Sequence, residues 1–265
     1  MISFGGITAF DAIGPAAIGF VLLAHFAGFY IRGALGFGSN MPIVLLTTWV
    51  LGPHHAILLV ALTSGIAQIH LLPQGFRQTD WPIARMLALG MMAGIAFGIW
   101  VFAGIEADWL LLLLGGLILA ILLMDRFRLI ERLQRKINLR SHALASGLAV
   151  VSGTVGTISG GGGLYFLAVY LKLVCASPAV LRSTAVFLSG AFMMFRLGLL
   201  TYAGLFTPGM LLEAAVVAPA VFLGSWAGTR LFHASSPERF YNGLQLVLLA
   251  AAAAIFVKGL IYLFG

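Results

Sequence analysis

From about residue 13 to the end, apolar runs of roughly 17 to 25 residues alternate with short polar interruptions, and that length crosses the ~30 Å hydrocarbon core of a bilayer as a helix. The runs do not alternate polar with apolar, which excludes a β-barrel. They predict helices near 13–35, 41–52, 54–72, 82–104, 109–125, 142–158, 163–175, 178–204, 207–232 and 237–263. Two of these, 41–52 and 163–175, are too short to cross. Each follows a glycine-rich break: Gly36-Phe37-Gly38-Ser39-Asn40-Met41-Pro42 in one case and Ser159-Gly160-Gly161-Gly162-Gly163-Leu164 in the other. The chain thus divides into two halves that correspond element by element. In each half a long helix, a glycine break, a short segment and a proline-containing turn lead into three longer helices. The expected architecture is an all-α polytopic membrane protein, with residues 1–125 as the N-terminal repeat, 126–141 as a linker and 142–265 as the C-terminal repeat.

Composition supports this class. Hydrophobic residues make up 61% of the chain and charged residues 9%, against roughly a quarter charged in a soluble domain; the mean hydropathy is +1.07. The start, Met1 to Phe10, has no Lys or Arg. It lacks the basic region of a signal peptide, so the first helix is expected to stay in the mature protein. A net charge of +7 could suggest a nucleic-acid partner, but six of the fifteen basic residues lie between Arg126 and Arg140. A cluster of that kind marks the cytoplasmic side of a membrane protein, and no nucleic-acid partner is expected. Within it, Phe127, Ile130, Leu133 and Ile137 recur at helical spacing, and Glu131 precedes Arg135 by four residues. This fits an amphipathic helix on the anionic leaflet or a solvated basic linker.

Charge bias orients the halves separately. Arg77 and Arg85 flank the loop before the fourth element of the first half, and the next loop carries Glu106 and Asp108. In the second half the bias flips: the 203–208 loop has no base, and Arg230 and Arg239 bracket the loop after it. Equivalent loops on opposite sides imply inverted-topology repeats with half-helices at the breaks. The basic loop is then cytoplasmic and both termini are outside, in a plasma membrane of the bacterial inner-membrane type. The fourth elements carry small-residue seams, Gly94-xxx-Gly98 and Gly224-xxx-Gly228, read as sites of close helix packing.

A helix that starts inside the membrane aims free N–H groups and a positive dipole end at what precedes it, and two such ends can face one oxyanion. The candidate substrate residues are Gly36, Gly38, Ser39 and Asn40 in the first break, and Ser159, Gly160, Gly161, Gly162 and Gly163 in the second. The glycines admit close backbone approach, and Ser39, Asn40 and Ser159, with Thr157, offer polar groups. Helix breaking and close packing alone is the competing reading. Arg182, followed by Ser183 and Thr184, is the preferred side-chain ligand, since a guanidinium fork matches paired oxygens; its competing role is an orientation anchor. Arg196 and Arg32 are read as anchors. His25, mid-helix, and Glu213, an acid near a membrane core, are candidates for coupling transport to protons, with a hydrogen-bonded core histidine as the alternative for His25. His54-His55 reads as an interfacial pair; no metal site is expected, nor any cofactor.

At the two breaks the chain resembles the sulfite exporter TauE/SafE family, whose members carry two copies of a Gly-x-Gly-Gly-Gly-like break. Gly36, Gly38 and Pro42 match the first copy and Gly160 to Gly163 the second, each followed by a loop and helix start at Pro53-His54-His55-Ala56 and Ser177-Pro178-Ala179. The likeness spans nearly the whole chain. It implies a secondary carrier of small sulfur-containing anions or organosulfonates. The partners expected from the whole reading are that small anion, the lipid bilayer and a co-transported proton or sodium ion. Ser39 and Asn40 stand where glycines are common, and Tyr165 and Phe166 replace a small aliphatic residue and a proline. Two other classes compete. A channel would more naturally build its pore by oligomeric symmetry. A membrane enzyme would need a nucleophile and base or paired metal ligands, and no His-Glu-x-x-His, Gly-x-Ser-x-Gly or phosphate-loop motif is present.

Overall fold

A computed structural model describes residues 2–4, 6–11, 13–35, 40–69, 75, 76, 78–127, 141–161, 163, 166, 167, 170, 171, 174–231 and 237–264. Among them are nine helices: α1 Pro15–Leu35, α2 Asn40–Leu51, α3 Pro53–Ile69, α4 Trp81–Gly104, α5 Ala107–Arg126, α6 His142–Ile158, α7 Pro178–Tyr202, α8 Pro208–Leu231 and α9 Pro237–Phe264. The second short segment is helical at 166–167, 170–171 and 174. Helix starts follow local chemistry. Six of the nine prolines stand at the first or second position of a helix, where the missing N–H has no partner to lose. Asp80 caps α4 by accepting from the Ile83 N–H, and Ser177 caps α7 by accepting from the Val180 N–H.

One element lay outside the sequence expectation. Strands β1 Ile2–Phe4 and β2 Ile7–Ala9 form an antiparallel hairpin that pairs Ile2 with Ala9 and Phe4 with Ile7. Strands of three residues leave no periodicity to read. The 126–141 linker, apart from Arg126, Phe127 and Ser141, lies outside the described residues.

The distribution of polarity is that of a membrane protein. Large apolar side chains face outward, among them Leu23, Leu89, Trp100, Phe222 and Trp226, while His25, Asn40, Ser64, Gln68, Thr157 and Arg196 are buried. Such an apolar exterior over a polar interior suits lipid as the surrounding solvent. Among the described residues, five helices are long and apolar enough to cross a bilayer, within α1, α4, α5, α7 and α8.

The packing is reciprocal. Helix α1 lies along α8 and α6 lies along α4, so the first element of each half defined by sequence packs on the fourth element of the other; the fifth elements, α5 and α9, pack on each other. The glycine seams make the first two contacts. A Cβ at Gly94 of α4 would lie 2.1 Å from the Val150 carbonyl oxygen of α6, one at Gly98 would lie 2.9 Å from the Thr157 Cβ, and one at Gly224 of α8 would lie 2.4 Å from the Phe26 carbonyl oxygen of α1. Without hydrophobic drive between helices in lipid, such close backbone packing holds them together.

The seam makes a measurable prediction. Gly94→Ala forces α4 away from α6 and costs about 1–3 kcal/mol of stability, whereas Gly147→Ala, with open space around its Cβ, is neutral or slightly stabilising. Thermal unfolding of the detergent-solubilised variants tests this; equal melting temperatures would contradict the packing assigned to the seam.

Candidate functional site

The second break begins as a helix C-terminus. The Ser159 N–H donates to the Val155 carbonyl to close the last turn of α6. Gly160 then takes φ +74° and Gly161 φ +131°, conformations that side chains with a Cβ rarely adopt. Space forbids larger residues as well: a Cβ at Gly160 would lie 2.6 Å from Val44 Cγ2, and one at Gly163 would lie 2.0 Å from the Ser152 carbonyl oxygen. The chain folds back on α6, and the Ser152 hydroxyl donates to the Gly163 carbonyl. A new helical turn opens where the Phe166 N–H donates to that same carbonyl, at 3.1 Å.

The first break delivers Asn40 to this point. Asn40 opens α2, and its Nδ2 donates to the Gly160 carbonyl at 2.8 Å while its Oδ1 accepts from the Ser64 hydroxyl of α3 at 2.8 Å. A Cβ at Gly161 would lie 2.7 Å from Asn40 Nδ2. Residues from the two breaks therefore touch. Asn40, Ser64, Thr157 and Ser159 are all buried; Thr157 donates to the Gly153 carbonyl and Ser159 Oγ to the Val155 carbonyl.

Two arginines approach the same region. Arg196 of α7 is 1% exposed. Its Nη2 donates to the Thr157 carbonyl at 3.1 Å, and its guanidinium stands 6.0 Å from the ring centre of Phe192, which itself packs on Gly156. Its Nε and Nη1 have no hydrogen-bond partner among the described residues. Arg32, in the last turn of α1, donates to Gln68 Oε1 of α3, and Gln68 Nε2 donates to the Val186 carbonyl of α7. Both arginines were expected to be surface anchors. Both lie within the last two turns of their helices, a position that reads as an anchor, yet Arg196 faces the protein interior, as intramembrane ionisable groups do.

The remaining candidates lie elsewhere. Arg182 is exposed in the second turn of α7. Ser183 is turned inward, where its hydroxyl donates to the Gly75 carbonyl and accepts from the Gln78 N–H, beside Thr184, which accepts from the Asp80 N–H. His25 is fully buried; its Nδ1 lies 2.9 Å from the Val21 carbonyl, which fixes the proton there, and its Nε2 has no partner among the described residues. Glu213 is 3% exposed. Its Oε2 lies 2.5 Å from Nε2 of His55, and its Oε1 accepts from the Phe10 N–H at 3.0 Å, so α8, α3 and the end of the N-terminal hairpin meet at one carboxylate. Sequence spacing could not pair His55 with Glu213, which are 158 positions apart. His54 instead lies 3.3 Å from the Phe102 carbonyl. Gly36, Gly38, Ser39 and Gly162 lie outside the described residues. No group of three metal-ligating side chains occurs among the described residues.

The region thus brings a buried amide, buried hydroxyls and a buried guanidinium beside glycine backbone. Such groups are chemically suited to an oxygen-rich anion. Fold and polarity define a multi-pass α-helical membrane protein whose polar groups converge inside the bundle. The family model described as sulfite exporter TauE/SafE matches residues 20–255. The chain belongs to the TauE/SafE family of membrane transporters, which ties it to the movement of sulfite and related sulfur compounds. Comparison with curated proteins and with solved structures gave no significant match.

The bridge between the breaks predicts a stability effect. Asn40→Ala leaves the Gly160 carbonyl and the Ser64 hydroxyl without their partner and costs about 1–3 kcal/mol. Thermal unfolding of the purified variant checks this, with Thr201→Ala, an exposed helix position, as a control expected to melt like the parent.

Proposed function

We propose that the protein is a secondary transporter that carries a small sulfur oxyanion, sulfite or an organosulfonate, by alternating access, with the anion held where the two glycine breaks meet. The observation that carries this reading is the Asn40 side chain bonded to the Gly160 carbonyl. It joins the two breaks within one hydrogen bond, in a chain whose family moves sulfur compounds. Of the break residues that the structure describes, Asn40, Ser159, Gly160, Gly161 and Gly163 line the site in this reading. Arg182 and Ser183 belong to its entrance, where an exposed cation draws anions toward the bundle.

The two halves, 1–125 and 142–265, act as inverted-topology repeats around the site. The flipped loop charges support this, as does the reciprocal packing of α1 on α8 and α6 on α4. The 126–141 linker is cytoplasmic, the termini are outside, and the membrane is a bacterial-type inner membrane. Coupling runs through protons: the His55–Glu213 pair offers a carboxylate and an imidazole within one hydrogen bond, and His25, midway along α1, offers an Nε2 with no partner among the described residues.

Flux into proteoliposomes tests the reading. Gly161→Val, which would drive a branched Cβ against Asn40 at a positive φ, abolishes sulfite and sulfoacetate uptake while the protein still inserts; normal uptake would remove the break from the site. Saturable uptake driven by a gradient identifies a carrier, and unsaturable conductance would identify a channel instead.

Coupling has its own test. Glu213→Gln keeps substrate binding and downhill exchange but loses accumulation driven by a pH gradient. Accumulation at the parent's level would remove Glu213 from the coupling path.

A further inference from the structure

We propose that Arg196 is the residue that binds the substrate's charge, along an edge of its guanidinium fork, and that it selects for an oxyanion with two adjacent oxygens. The inference rests on the transport reading above and adds to it the ligand that the sequence assigned to Arg182. Four observations carry it.

First, the guanidinium is enclosed. At 1% exposure it has exchanged water for protein, and an unpaired buried charge is strongly unfavourable. Second, its hydrogens are mostly unused. Nε carries one and Nη1 two, and both atoms lack a partner among the described residues. The Thr157 carbonyl takes one of the two on Nη2; the other completes a two-donor edge with either Nε or Nη1.

Third, no ion pair joins Arg196 to any acid whose side chain the structure describes. Glu213 holds His55 and the Phe10 N–H, Asp80 caps α4, Glu106 and Asp108 stand at the start of α5, and Asp11 is exposed beside the hairpin. None of these five supplies a counter-charge for Arg196, and an anionic ligand would supply one.

Fourth, Arg196 stands beside the meeting point of the breaks. Thr157, its partner, precedes Gly160 by three residues. Leu197, the next residue, packs so closely on α3 that a Cβ at Gly65 would lie 2.4 Å from its Cδ1, and Ser64, adjacent to Gly65, bonds Asn40. The cation and the Asn40 bridge belong to one cluster of residues. A ligand held there accepts from Arg196 on one side and from glycine-rich backbone on another. That favours a sulfonate or sulfite over a neutral or cationic sulfur compound.

The test is calorimetric binding of sulfoacetate and isethionate to the purified full-length protein in nanodiscs, with the melting temperature recorded with and without ligand. The parent binds both. Arg196→Gln loses affinity by about ten- to a hundredfold, and its ligand-induced rise in melting temperature disappears. Arg196→Lys recovers only part, since an ammonium cannot present two parallel donors. Arg230→Gln, which removes an exposed cation stacked on Trp226, binds like the parent. Parent-like affinity in folded Arg196→Gln overturns the assignment of Arg196 while leaving the transport reading in place. If Arg196→Gln does not fold, Arg196→Lys decides, and parent-like affinity there overturns it. A parent that binds neither anion overturns the transport reading and this inference together.

Discussion

Inside a bilayer every backbone polar group must find its partner within the protein, and the rest of this structure is arranged around that constraint at two places where helices stop short. A break in a spanning helix exposes carbonyls and amides to a medium that cannot bond them, at several kcal/mol each. At the second break the solution is specific. Ser159 closes the last turn, Gly160 and Gly161 reverse the chain through positive φ, Ser152 satisfies the Gly163 carbonyl, and Asn40 crosses from the other half to satisfy Gly160. The requirement also dictates composition. Only glycine fits against Val44, Asn40 and the Ser152 carbonyl, and the Asn40 amide presents a donor to Gly160 and an acceptor to Ser64 at once.

The same logic explains why polar ties appear at the two ends of α3. Near its start, His55 joins Glu213 and, through it, the backbone of Phe10. Beyond its end, the Gly75–Asp80 stretch is held by Ser183 and Thr184 of α7. Each tie links elements of opposite halves, as the Asn40–Gly160 and Gln68–Val186 bonds also do. Hydrogen bonds of this kind contribute about 1 kcal/mol each, enough to hold a state and little enough to be exchanged during transport.

Much of the fold was legible in the sequence, since a membrane imposes the strongest periodic signal a chain can carry. Helix bounds agree to within a few residues, the glycine seams pack as expected, and the two short segments fall where glycine breaks predicted them. Pairings across the halves were not legible. Nothing in the order of residues brings Asn40 to Gly160 or His55 to Glu213, because those contacts arise from the packing of α2 and α8 against distant helices. The arginines show the point most clearly. Arg182, near a serine and a threonine, looked the better ligand from its neighbours, yet it is exposed, while Arg196 is buried with Phe192 and the Thr157 carbonyl. Which face of α7 turns inward decides this, and a helix with apolar residues on every face does not announce it.

The central claim is that one anion sits where the two breaks meet. A cryo-electron-microscopy map of the protein in nanodiscs with saturating sulfoacetate tests it most directly. The account predicts compact density bounded by Asn40, Gly160, Gly161 and the Arg196 guanidinium, absent from a map without ligand. Density confined to the bundle surface, or to Arg182 alone, with the Asn40–Gly160 contact unchanged and no density beside Arg196, would contradict it.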